Sequence, residues 1–208
     1  YRSQVVFNEP VSDTLGIRLF YREETDWFLL EHNERMDSIT IWVTDTLVAS
    51  MDTLRFEIAF NQLDTLGQKY LAHDTLSLVY TEKTRQEIRR RGRDEEEEKP
   101  EVVQFLFSDN IKSTGFDLNL PIYITAPEPV LEFDLSSIRL VETEDLTDTS
   151  LPISISRDST LWRTWRIDHK WQPITSYILE IDSAASQNIY GITNKYVKRQ
   201  FTTQKDDF

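Results

Sequence analysis

Residues 53–60 read TLRFEIAF, with Leu54, Phe56, Ile58 and Phe60 at every second position and Arg55, Glu57 and Ala59 between them. Side chains alternate faces along an extended strand, so this spacing puts four large apolar groups on one face. On a helix, positions two apart would fall on nearly opposite sides, and no apolar stripe would form. SITIWVTD (38–45) repeats the pattern, with Ile39, Ile41 and Val43 on one face and Trp42 on the other. VVFNEPV (5–11), LGIRLFY (15–21), WFLLEH (27–32) and TLSLVYT (75–81) complete a set of about six half-buried strands. Between them TDTLVASMD (44–52) has room for one helical turn.

This order stops at TEKTRQEIRRRGRDEEEEKP (81–100), where seven basic residues come mostly first and seven acidic ones mostly last. Segregated charge blocks around a Gly and before a Pro favour a solvated linker. Beyond it strands resume: VVQFLF (102–107), IYIT (122–125), SIRLVE (137–142), PISIS (152–156), LWRTWRI (161–167), SYILEID (176–182) and VKRQFTT (197–203). Short strands at regular spacing, joined by polar turns, indicate antiparallel sandwiches. The expected organisation is all-β, with two tandem Ig-like β-sandwiches at 1–81 and 101–208 and a charged linker at 82–100.

The two halves also repeat in kind. VVFNEPV matches IYITAPEPV (122–130), DTLRFEIAF (52–60) matches TSYILEIDS (175–183), and LGQKYLAHDTLSLVY (66–80) matches YGITNKYVKRQFTT (190–203), all in the same order. The tripeptide Asp-Thr-Leu occurs five times, at 13, 45, 52, 64 and 74, all in the first half and at irregular spacing. Irregular spacing does not build a repeating ligand set. The copies at 13, 52 and 74 read as strand starts, and those at 45 and 64 as connections, with Asp turning the backbone.

Composition bounds the function. A net charge of -13 over 208 residues argues against a nucleic-acid surface, which would need clustered Lys and Arg. With no cysteine there is no disulfide framework, thiolate metal site or cysteine nucleophile. No apolar run reaches the ~18–20 residues that span a bilayer. Tyr1-Arg2-Ser3-Gln4 lacks signal-peptide character, and the strand-like VVF at residue 5 reads as the beginning of an already structured region.

Candidate chemistry is thin. His32, His73 and His169 do not form an HExxH pair, and no GxSxG elbow is present. ETEDLTDTS (142–150) offers oxygen ligands at Glu142, Glu144, Asp145 and Asp148, but without the alternating Asp/Asn and Gly pattern of an EF-hand it reads as an exposed polar loop. Glu128 and Asp182 are the pair a glycosidase reading would choose, and a Glu before Pro in both halves reads instead as a strand end. The expectation is a non-enzyme with no metal and no cofactor. The aromatics carry more. In LWRTWRIDHKW (161–171) alternation puts Trp165 and Ile167 on one face and Trp162, Arg166 and Lys170 on the other. Outward Trp42 and Trp162 with Arg166 are therefore the candidate binding residues, for a protein partner or a sugar ring.

IYITAPEPV, DLSSIRLVE (134–142) and WQPITSYILEIDSAASQNIYGITNKYVKRQFTT (171–203) together resemble the bacterial Ig-like domain of S-layer-protein type, over residues 101–205. That family runs a strand into a Pro-Val turn and closes with an L-x-P-x-T-x-Y strand, a D-x-x-G-N loop and a Phe-rich strand. Here Trp171-Gln172-Pro173 and Thr175-Ser176-Tyr177 stand for the closing strand, and Asn188-Ile189-Tyr190-Gly191 for the loop. Asn188 replaces the usual Asp, and Thr193 intervenes before Asn194. The first half is similar mainly through VVFNEPV and strand order. The resemblance implies a structural or interaction module of a Bacteroidota cell-envelope lipoprotein, associated with the outer membrane and partnered by other envelope proteins. It carries no shared catalytic residues, and a glycan-binding role through exposed Trp is the alternative.

Overall fold

The computed structural model describes residues 2–11, 15–21, 26–79, 103–143, 149–157 and 161–206. The expected linker at 82–100, Asp13 and Thr14, and Glu144, Asp145 and Asp148 of the acidic loop lie outside the described residues. Two compact units divide the chain, Tyr1–Glu101 and Val102–Phe208. Both are all-β and predominantly antiparallel.

In the first unit the strands are β1 (Arg2–Val6), β2 (Leu15–Leu19), β3 (Phe28–His32), β4 (Ser38–Val43), β5 (Thr53–Leu63) and β6 (Lys69–Val79), with one helical turn, α1 (Thr46–Ala49), before β5. They form two three-stranded sheets, β1-β4-β3 and β2-β5-β6. Alternation works as the sequence dictates. Ile39, Ile41 and Val43 of one sheet meet Leu54, Phe56 and Ile58 of the other in a single core. Phe56 and Ile58 are fully buried, and each contributes about 1.5–3 kcal/mol relative to exposure.

The second unit begins with β7 (Gln104–Phe105), β8 (Ser108–Asp109), β9 (Thr114–Phe116), β10 (Ile122–Thr125) and β11 (Val130–Phe133). It continues with β12 (Ile138–Glu142), β13 (Ser154–Arg157), β14 (Thr164–Asp168), β15 (Ser176–Ile181), β16 (Ser186–Asn188), β17 (Thr193–Asn194) and β18 (Val197–Thr203). Sheet β13-β14-β10-β8 packs on sheet β12-β15-β18-β9, and a small sheet, β11-β16-β17-β7, joins the same core. This is the strand order of an immunoglobulin-like sandwich, with the first strand split between both sheets. The corner before β15 carries the tyrosine that such sandwiches use. Tyr177, 1% exposed, accepts a hydrogen bond on its hydroxyl from the Gln172 backbone N–H at 3.0 Å. Thr203 Oγ1 donates to the Gln172 carbonyl at 2.6 Å and accepts from Thr175 N–H at 2.9 Å, so the corner is tied from both sides.

The first unit reproduces part of this plan. Sheet β1-β4-β3 corresponds to β10-β14-β13, and β2-β5-β6 to β12-β15-β18. The internal sequence repeat aligns three of these pairs, β1 with β10, β5 with β15 and β6 with β18. Two sequence expectations need correction. The Asp-Thr-Leu at 74 does not start a strand: it lies inside β6, because pairing with β5 runs on through Tyr70↔Gln62 to Lys69↔Leu63. The set of about seven strands after the linker also omits β8, β9, β11, β16 and β17, each two to four residues long. None of these runs shows the apolar alternation that marks IYIT.

Asp-Thr-Leu acts locally elsewhere. Asp45 caps α1, accepting from Leu47 and Val48 N–H at 2.7 and 3.0 Å, and Asp64 closes the β5–β6 turn by accepting from Leu66 and Gln68 N–H, each at 2.8 Å.

Candidate aromatic and basic binding face

Of the candidate binding residues, Arg166 lies on the outer face of β13-β14-β10. Ile122 and Ile124 of β10 point inward and are buried, which forces Tyr123 outward, where it is 40% exposed. Register then sets its neighbours: Tyr123 lies opposite Arg166 on β14, and Arg166 opposite Ser156 on β13. Tyr123, Ser156, Arg157, Leu161, Thr164 and Arg166 line a depression of about 210 Å³.

Arg166 is held in place. Its guanidinium Nε and Nη2 donate to the Asp168 carboxylate at 2.8 and 2.7 Å. Those hydrogen bonds push the Asp168 carboxyl below its ordinary value and the guanidinium above its own. The fork keeps the charge at the surface and fixes its direction.

Trp162 lies in the turn before β14 and is 37% exposed. The Arg157 guanidinium lies over its ring at 5.1 Å and over the buried Trp165 at 5.5 Å, and donates to the Trp162 carbonyl at 3.0 Å. Burial between the two rings lowers the Arg157 pKa. Arg157 thus joins the exposed indole to the core.

Trp42 is elsewhere and is not exposed. Only 2% of its surface is accessible, its Nε1 donates to buried Glu31 at 3.3 Å, and Arg2 lies over its ring at 5.7 Å. Alternation correctly puts Trp42 on the face opposite Ile41, but it does not tell whether that face is open. Here the partners across the sheet, Arg2 and Leu29, are in register with Trp42, and Glu31 supplies a carboxylate. The structure therefore puts Arg166 on this outer face and Trp162 in the turn before β14, against Arg157, and it buries Trp42. It adds Tyr123 and Arg157. The alternation of IYIT was signal enough for Tyr123, whereas Arg157 depends on the pairing of β13 with β14, which sets it opposite Trp165.

Glu128 and Asp182 have structural partners. The Glu128 carboxylate accepts from the Asn188 amide, and Asp182 meets Arg139 at 3.4 Å. Asn188 caps its loop by accepting from Tyr190 and Ile192 N–H at 3.0 and 2.8 Å, with Gly191 at φ 78°. An amide oxygen serves as well as a carboxylate there. Among the described residues no group of three His, Asp or Glu converges as metal ligands, and no helix is long and apolar enough to cross a membrane.

Strand order, tyrosine corner and surface define the class: an immunoglobulin-like β-sandwich bearing an exposed aromatic and basic face. No family model and no curated protein matches the chain. Among solved structures it is similar to "Crystal structure of the titin domains z1z2 in complex with telethonin". The identity is 9% over 99% of this chain and 87% of that chain, with a TM-score of 0.25. A likeness at that score adds nothing to what the strand order itself establishes.

Proposed function

We propose that the chain is a non-catalytic interaction module of a bacterial cell-envelope protein, which docks other envelope proteins through the outer face of β13-β14-β10. The observation that carries this reading is the pairing of Tyr123 with Arg166 on the outer face of one sheet, with the exposed Trp162 in the turn before β14. Tyr, Trp and Arg dominate the energetics of protein interfaces, and the Asp168 fork already holds Arg166, so less of its freedom remains to be lost on binding. The resemblance of residues 101–205 to the S-layer-type Ig-like domain supports the envelope setting, in a Bacteroidota outer-membrane lipoprotein assembly.

The alternative, a glycan site, needs an open indole face for sugar stacking. Arg157 already lies over the Trp162 ring, which favours the protein-docking reading. Quantitative pull-down from envelope fractions separates the two. The docking reading expects a discrete protein retained by the wild type and lost, by tenfold or more, with a Tyr123→Ala/Arg166→Ala pair. A saturable glycan hit on an array, abolished by Trp162→Ala and with no protein retained, would replace it.

A further inference from the structure

In the second unit one segment covers the edges of both sheets on one flank of the sandwich, those of β10 and β18. β8 runs antiparallel to β10, pairing Asp109 with Ile124, and β9 runs parallel to β18, pairing Thr114 with Thr202. That segment also plugs the side of the core. Phe116 is 2% exposed and meets the Phe201 ring at 5.2 Å, while Asp109 takes Arg199 of β18 at 2.6 Å.

The first unit contains no counterpart among its described residues. β1 pairs only with β4, and β6 only with β5. The repeat aligns Leu78 of β6 with Phe201, yet Leu78 is only half-buried whereas Phe201 is 1% exposed. Where those two edges flank the gap between the sheets, a cleft of about 290 Å³ opens, with Val5, Phe7, Val11, Ile58, Phe60 and Leu76 as its apolar lining. Asp74 faces this cleft from the core-facing position aligned with Val197, and Glu9 also lines it; among the described residues no Lys or Arg does. β6 is moreover an eleven-residue edge strand with exposed Tyr70, Leu71 and Val79, a length that sandwiches normally cover.

We propose that this flank receives one extended strand from a separate polypeptide. The incoming strand runs antiparallel to β1 and parallel to β6, inserts apolar side chains at alternate positions into the cleft, and presents a Lys or Arg to Asp74. The geometry is β-strand addition at an open edge, and the template is the second unit's own Ser108–Phe116. The acidic lining selects a basic donor. A second copy is a poorer occupant, since each copy carries a net charge of -13 and edge-to-edge pairing of β6 would leave the cleft empty. This docking site is independent of the face around Tyr123.

The test is fluorescence anisotropy with a labelled peptide of sequence Phe105–Phe116 carrying Asp109→Lys, titrated with residues 1–208. Three results are expected together. The peptide binds saturably; a version with proline at two alternate positions binds at least tenfold more weakly, because proline cannot donate to the ladder; and Leu76→Lys in the protein weakens binding by a similar factor. Amide hydrogen exchange should show new protection at β1 and β6 and unchanged protection in β5, which also reports that each variant is folded. The Tyr123→Ala/Arg166→Ala pair should bind the peptide as the wild type does, so this test and that of the docking face fail separately. The proposal is overturned by an absence of saturable binding to folded protein, or by concentration-dependent self-association that the peptide does not compete. It is equally overturned if the natural polypeptide containing this sequence refuses a peptide that residues 1–208 accept, since the strand is then supplied in cis.

Discussion

Replacing Tyr177 by Phe removes one oxygen and little else. The ring sits among Trp171, Phe201 and His169 at centroid distances of 5.2, 5.7 and 5.7 Å, contacts that Phe retains. What is lost is the acceptor for Gln172 N–H, at a corner where the hydroxyl is buried with the ring. Leaving a buried donor unpaired costs about 1–3 kcal/mol. For a domain of about 100 residues, each kcal/mol lowers Tm by roughly 4–8 °C, so the second unit should melt noticeably earlier while the first is unchanged. The assay is urea unfolding followed by hydrogen-exchange mass spectrometry, which resolves the two units and reports the 171–177 segment. Faster exchange at Gln172 with a loss of at least 1 kcal/mol in the second unit is expected. Tyr177→Ala, which also opens a cavity, should cost about 3–5 kcal/mol. Stability of Tyr177→Phe within 0.5 kcal/mol of wild type would refute the corner's role.

Other perturbations test separate parts of the structure. Asn194, fully buried, accepts from Ser186 N–H at 2.7 Å and donates to the Asp182 and Lys195 carbonyls at 2.8 and 2.9 Å; Asn194→Ala should cost about 3 kcal/mol by denaturant titration, since several buried groups lose partners at once. Ile174 is β-branched, 68% exposed and held at φ 54°, so Ile174→Asn should raise stability by ~1 kcal/mol, measured as an upward shift in midpoint. Arg157→Lys should loosen the Trp162 indole by about 1 kcal/mol, read as increased acrylamide quenching of its emission. The Glu180 carboxyl is held below its ordinary value by the Tyr196 hydroxyl at 2.7 Å and by Lys198 at 3.1 Å. A depressed folded-state pKa contributes stability that is present above the usual carboxylate range and lost as pH falls through the folded value. Glu180→Gln should flatten that acid-side loss in a pH series of melts.

The architecture was legible because its signal is local. TLRFEIAF, SITIWVTD and SYILEID each have one apolar face, and two such faces have to meet. The repeat between the halves was legible too, since it keeps the order of strands. What stayed hidden depends on which strands lie side by side. Nothing near Trp42 in the sequence announces that Glu31 and Arg2 share its face, and nothing near Tyr123 announces Arg166, 43 positions on. β8 and β9 are too short to show alternation, yet they occupy the edges that the first unit leaves open. The short strands were therefore the part that mattered for a binding hypothesis and the part that periodicity could not supply.

The docking claim is met most directly by a photo-reactive amino acid placed at Tyr123 in intact cell envelopes, with the exposed Leu131 position as control. A discrete protein adduct should form at 123, be absent at 131, and disappear when Arg166→Ala is added. Equal labelling at both positions, or an adduct that survives the loss of Arg166, would contradict the assignment of this face.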